Sequence, residues 1–144
     1  MEKAPHLAEA HMASSWIKFM DGELQDALAE ARKATTMRPA SADGVGLVHT
    51  LYGWYLMNAF DSAGAVRELR LAEQACRRTD PLVEMQLGHA FALKHDFQSA
   101  LAHFKESIVL QDEQVWAYRL KGMVYQEQGN VLEAIKCFEQ GRRT

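Results

Sequence analysis

The stretch Pro81–Gln114, PLVEMQLGHAFALKHDFQSALAHFKESIVLQDEQ, holds two helix-length apolar patterns separated by His95-Asp96, and the same layout begins again at Val115. A unit of this kind cannot cover both of its apolar faces alone, so a chain that repeats it must stack the copies. Leu87, Phe91 and Leu93 follow helical rather than alternating spacing. Asp96 stands before the second apolar-periodic run, where it predicts an N-cap. Gly88 and Ala100 are small where two helices would cross closely, while Phe91, Phe97 and Phe104 would fill the space between them.

The rest of the chain repeats this design. A first unit spans approximately residues 8–41: Gly22-Glu23-Leu24 predicts a turn, Ala27, Ala31 and Ala34 take the small-residue offsets, and Pro39 predicts the stop. Its first half fits less well, because Lys18 falls where a large apolar residue is expected, with Ile17 and Phe19 beside it. A polar connection over residues 40–44 leads to a second unit, residues 46–80, in which Gly53, Ala65, Leu69 and Ala72 align with Gly88, Ala100, Phe104 and Ser107. Pro81 then suits the first turn of a helix, where its missing N–H costs nothing. The fourth unit, residues 115–144, carries Gly122, Tyr125, Gly129-Asn130, Ala134 and Phe138. Residues 1–144 are expected to form a single domain of four repeats.

The period and the residue sizes at these offsets resemble the tetratricopeptide repeat over residues 8–144. The resemblance implies an all-α chain, a right-handed superhelical solenoid of antiparallel helix pairs, in which the first helix of each pair lines a concave groove. Carried over residue by residue, that face holds Met12, Trp16, Phe19 and Met20, then Leu47, Leu51, Trp54 and Met57. It continues through Leu82, Met85, Gln86 and His89 and ends with Trp116, Arg119, Leu120 and Met123. All three tryptophans and five of the seven methionines fall on it. The ligand-binding residues expected from this reading are Met12, Trp16, Leu51, Trp54, Met57, Met85, Gln86, His89, Trp116, Arg119 and Met123.

Such a stripe would expose more contiguous apolar surface than the few hundred Å² a soluble monomer ordinarily carries. Methionine adapts to irregular apolar partners and tryptophan is a frequent binding anchor. The expected partner is therefore a protein or peptide with an apolar segment, either an amphipathic helix or an extended strand of chain. Tetratricopeptide domains that capture acidic chaperone C-termini use a clamp of Lys, Asn and Arg on this face; here Arg119 is its one clear cation, which disfavours a carboxylate ligand. The groove character is similar to that of small tetratricopeptide chaperones of bacterial type III secretion, although no long acidic N-terminal dimerisation segment is present. The stripe could instead be core, or be covered by the chain's own N-terminal residues or in a homodimer. Solenoids of this kind usually finish with an extra helix of polar outer face, and none follows Thr144. The last helix, with Ile135, Cys137 and Phe138, is then expected to need a partner, a dimer mate or more chain; the alternative function is a structural subunit that self-associates there.

Other classes are disfavoured. The net charge of −3, from 16 basic and 19 acidic residues, leaves no electrostatic footprint for nucleic acid or an anionic membrane. Arg67, Arg70, Arg77 and Arg78 cluster, but Glu68 and Glu73 intersperse them, as on a solvated outer face. No stretch reaches membrane-span length and the N-terminus lacks the apolar core of a secretory signal, so a cytoplasmic location is expected. Cys76 and Cys137 fall in different repeats, which suits two thiols in a reducing compartment rather than a disulfide. The six histidines show no metal-ligand spacing, Gly44-Val45-Gly46 reads as a turn rather than a phosphate loop, and Ser14-Ser15 have only His11 nearby as a base. Neither catalysis nor a cofactor or metal is expected.

Overall fold

The computed structural model describes residues 7–37, 42–75, 80–111 and 115–143. These form eight helices: α1 (Leu7–Met20), α2 (Leu24–Thr35), α3 (Ala42–Asn58), α4 (Ser62–Ala75), α5 (Pro81–Leu93), α6 (Phe97–Leu110), α7 (Val115–Glu127) and α8 (Val131–Arg143). Each odd-numbered helix packs chiefly on the helix that follows it, and α3 also lies on α2 as α7 lies on α6. The packing divides the chain into two compact units, Met1–Arg78 and Thr79–Thr144.

The turn inside each pair is the same structure four times. One residue adopts the left-handed conformation: Gly22 (φ +84°), Phe60 (φ 64°), His95 (φ 62°) and Gly129 (φ 78°). The next residue's N–H then reaches back to a carbonyl five residues earlier, as in Glu23 to Lys18 (2.8 Å), Asp61 to Leu56 (2.9 Å), Asp96 to Phe91 (2.9 Å) and Asn130 to Tyr125 (2.8 Å). This closes the end of the first helix in a Schellman-type cap. The same next residue opens the second helix. Asp61, Asp96 and Asn130 accept from the N–H groups of Gly64, Ser99 and Glu133, at 2.9, 3.3 and 3.4 Å. Glu23, one methylene longer than aspartate, makes no such bond. Asp96 therefore caps α6 as its position predicts, and Pro81 begins α5 behind an Asp80 cap.

Close approach within a pair depends on a small residue facing a large one. A Cβ added at Gly88 would stand 2.6 Å from the Phe104 ring, and one at Gly122 would stand 2.7 Å from Phe138. In the first pair both residues are small. Ser15 takes the glycine position on α1 and Ala31 the large position on α2, and both are buried. The Ser15 hydroxyl donates to the Met12 carbonyl at 2.6 Å and lies 3.2 Å from the Tyr55 hydroxyl.

The core of the first unit gathers Ala27, Ala31 and Tyr55 with Phe19, Leu24, Leu28 and Leu51, and a second cluster joins Met12, Ala34 and Val48. Phe19 thus supplies the bulk that Lys18 lacks. In the second unit Ala100, Phe104 and Val124 are joined by Phe91, Phe97, Leu101 and Leu120.

One polar pair recurs between the helices of a pair. His11 on α1 meets Glu30 on α2, and His49 on α3 meets Glu68 on α4 at 2.6 Å, each across 19 residues. In the third pair the residues are exchanged: Glu84 is on α5 and His103 on α6, at 2.7 Å and again 19 residues apart. The equivalent positions in the fourth pair hold Tyr118 and Cys137, both buried.

Candidate protein-interaction faces

The first helix of each pair leaves one face free of its partner helix. In the first unit that face centres on stacked indoles: Trp16 and Trp54 lie 5.8 Å apart at 25°, with Phe19 beneath them, 4.8 Å from Trp54 and 5.1 Å from Tyr55. Ordered in this way, the pair presents a broad aromatic surface with little rotamer freedom left to lose on binding. Trp16 is 45% exposed and Trp54 is half-buried over the core. Leu47 is exposed on the same helix as Trp54, whereas Leu51 is half-buried and faces α2.

Two residues expected on this surface are not there. Met12 lies between α1, α2 and α3 in the cluster with Ala34 and Val48, and Met57 is buried at 4% exposure. Their helical spacing suits a stripe, but Met12 lies where α3 packs on α1 and α2, and Met57 is buried. They belong to the core.

In the second unit Trp116 is 61% exposed and Met123 lies exposed two turns further along α7. The Arg119 guanidinium sits 5.1 Å from the Trp116 ring centre, in a cation–π contact with the indole. Leu82 is exposed on α5, Met85 is half-buried against the Phe104 cluster, and Gln86 and His89 are half-buried. Burial pulls the His89 imidazole below its ordinary pKa, so at neutral pH it is uncharged, with one ring nitrogen donating and the other accepting. The Gln86 Oε1 is buried and makes no hydrogen bond among the described residues. The second face is thus apolar with a few neutral polar groups and the exposed Arg119 guanidinium beside Trp116.

The residues singled out for other chemistry are engaged in structure. His11 is held by Glu30, and the Ser15 hydroxyl is buried and bonded to Met12, so no serine–histidine pair forms from them. Arg70 pairs with Glu73 at 3.0 Å on α4; Cys76, Arg77 and Arg78 lie outside the described residues. Cys137 is a buried thiol that burial pushes up from its ordinary pKa, which keeps it protonated. No described helix is long and apolar enough to cross a membrane.

Sequence reading missed two features. The interhelical His–Glu pairs were detectable as a histidine and a glutamate 19 residues apart at the same place in three repeats. Phe60, 91% exposed in the turn between α3 and α4, carried the signal that its position is a glycine in the first and fourth turns.

Solved structures share this fold. Over 96% of this chain and 78% of the other, the crystal structure of MamA superposes with a TM-score of 0.78 at 18% identity. A tetratricopeptide repeat protein from Parabacteroides merdae superposes over 94% of this chain and 52% of its own, with a TM-score of 0.74 at 16% identity. YrrB, described as a TPR protein with an unusual peptide-binding site, does so over 93% and 66%, with a TM-score of 0.75 at 17% identity. No protein-family model and no curated protein sequence matches the chain. The fold is that of tetratricopeptide repeats, all-helical, with the helices packed in adjacent pairs as in the solenoids of that class.

Proposed function

We propose that this chain is a protein-interaction module that binds an apolar segment of a partner protein, amphipathic-helical or extended, on the open faces of its first helices. The observation that carries the reading is the stacked Trp16–Trp54 pair, which keeps a large, rigid aromatic surface in water at 45% exposure of Trp16. The residues proposed to make contact are Trp16, Leu47 and Trp54 in the first unit and Met85, Gln86, His89, Trp116, Arg119 and Met123 in the second. Desolvating three such apolar side chains contributes about 1.5–3 kcal/mol each before ordering costs, enough for specific binding. The peptide-binding site ascribed to YrrB supports the same class of use for this fold. A cytoplasmic chaperone that shields an apolar segment of a subunit before secretion is the specific form of this reading.

The test uses the exposed anchors rather than Trp54, whose ring is part of the core packing. The wild-type chain and a Trp16→Glu/Trp116→Glu variant are first shown to be equally helical by circular dichroism and are then used to capture partners from a cell extract. A partner held by the wild type alone, and mapped to an apolar segment, supports the reading. Equal capture by both forms overturns it.

A further inference from the structure

We infer that the aromatic face of the first unit takes a cationic amphipathic segment of a partner protein. The apolar side of that segment covers Trp16, Trp54 and Met20, and its Lys or Arg side chains meet the carboxylates at the adjoining turn, which rests on the reading proposed above that these faces bind a partner. Both indoles lie one helical turn before the end of their helix: Trp16 precedes Met20, the last residue of α1, by four residues, and Trp54 precedes Asn58, the last of α3, by four. The stacked pair therefore stands at the end of the unit where α1 turns into α2 and α3 into α4. Met20 continues the face from Trp16 toward that end and is 66% exposed.

Charge at that end has one dominant sign. In the last turns of α1 and α3, the two connections and the first turns of α2 and α4, the charged residues are Lys18 against Asp21, Glu23, Asp26 and Asp61. Asp21, Glu23 and Asp26 are exposed, and Glu23 makes no cap hydrogen bond. One oxygen of Asp61 accepts from the Gly64 N–H at 2.9 Å, so the rim offered to a ligand rests on the other three. Lys18 lies close enough to Glu30 of α2 for its charge to act there. The other cations of α2 gather at its far end, with Arg32 and Lys33 in the last turn.

An apolar surface bordered by carboxylates favours a ligand that carries positive charge beside its apolar side. It works against an acidic ligand, because like charges brought together across an interface cost affinity. The exposed indole adds to the same preference, since a Lys or Arg placed over its face gains a cation–π contact. Arg119 on Trp116 makes that contact within the second unit, at 5.1 Å. Phe60 also stands exposed in the turn between α3 and α4, at a left-handed φ of 64° that a side chain occupies at a cost. An apolar ligand reaching this turn would give the ring the burial it lacks within the chain.

Three labelled peptides of one length test this. They share a leucine stripe at helical spacing and carry Lys, Gln or Glu on the opposite side, and fluorescence anisotropy gives the affinity of each for the full chain at low salt. The wild type is expected to hold the lysine peptide about tenfold more tightly than the glutamate peptide, and the gap to shrink as salt is added. Asp21→Asn/Glu23→Gln is expected to bind the lysine peptide about fivefold more weakly than the wild type. Glu106→Gln/Glu139→Gln removes the same charge from exposed positions of the second unit and is expected to bind it as the wild type does. All four substitutions replace exposed side chains, and both variants are checked for unchanged helicity. Equal affinity for the three peptides overturns the inference and leaves the interaction reading standing. So does an Asp21→Asn/Glu23→Gln variant that binds like the wild type, or an equal loss in both variants, which would show that net charge alone draws the peptide. Failure of all three peptides to bind overturns both.

Discussion

His103 on α6 pairs with Glu84 on α5 at 2.7 Å, and the pair is the reverse of His49 on α3 with Glu68 on α4 at 2.6 Å. The geometry between first and second helix accepts the imidazole from either side. The double exchange His49→Glu/Glu68→His is therefore expected to restore most of the stability that either single exchange removes. Each single change puts two like side chains into a half-buried site, two carboxylates or two imidazoles, and is expected to cost about 1–3 kcal/mol. Denaturant unfolding of the four forms checks this. A double variant as unstable as the two singles combined would show that only one orientation fits.

The first of these pairs sets a pH dependence. The hydrogen bond from His11 holds the Glu30 carboxyl below its ordinary value of 4.5, with burial opposing and the His11, Lys33 and Lys18 charges assisting. A carboxyl with a depressed folded-state pKa contributes stability above its unfolded value and loses it as the pH falls through the folded value. The wild type should accordingly lose stability below pH 4.5 more steeply than Glu30→Gln, which has no such proton to take up. Denaturation midpoints measured across the acid range give the two slopes. Equal slopes would mean that Glu30 titrates normally.

Phe60 occupies a left-handed turn position, at φ 64°, that Gly22 and Gly129 fill without strain. A side chain there costs about 1–2 kcal/mol, and at 91% exposure the ring recovers little of that by burial. Glycine offsets part of the gain through its freer unfolded chain. Phe60→Gly is expected to raise stability by about 1 kcal/mol in chemical denaturation. A neutral or destabilising result would show that the ring makes contacts worth as much as the strain.

The helix ends were legible because they depend on local chemistry: Asp96 and Pro81 sit where backbone groups need an acceptor or have no N–H to lose. The crossing of α5 and α6 was legible for a similar reason, since Gly88 and Phe104 differ in size in the way a close approach requires. The binding face was only partly legible. Period alone places Met12, Trp16 and Leu51 on one side of their helices, but it does not say where the neighbouring first helix packs. Met12 is covered by that contact, Leu51 turns toward α2, and Trp16 is left in water. The His–Glu pairs escaped because both partners lie on different helices and each alone resembles an ordinary surface residue.

The second and third pairs both set a glycine on the first helix against a large side chain on the second, Gly53 against Leu69 and Gly88 against Phe104, so this packing does little to tell them apart. The reversed polar pair does. If α3 were to pick up α6 during folding, His49 would stand against His103, and if α5 were to pick up α4, Glu84 would stand against Glu68. Either mistake would set two like groups against each other in place of a histidine and a carboxylate, so the exchange of two residues makes each helix a better match for its sequence neighbour than for the corresponding helix of the other pair.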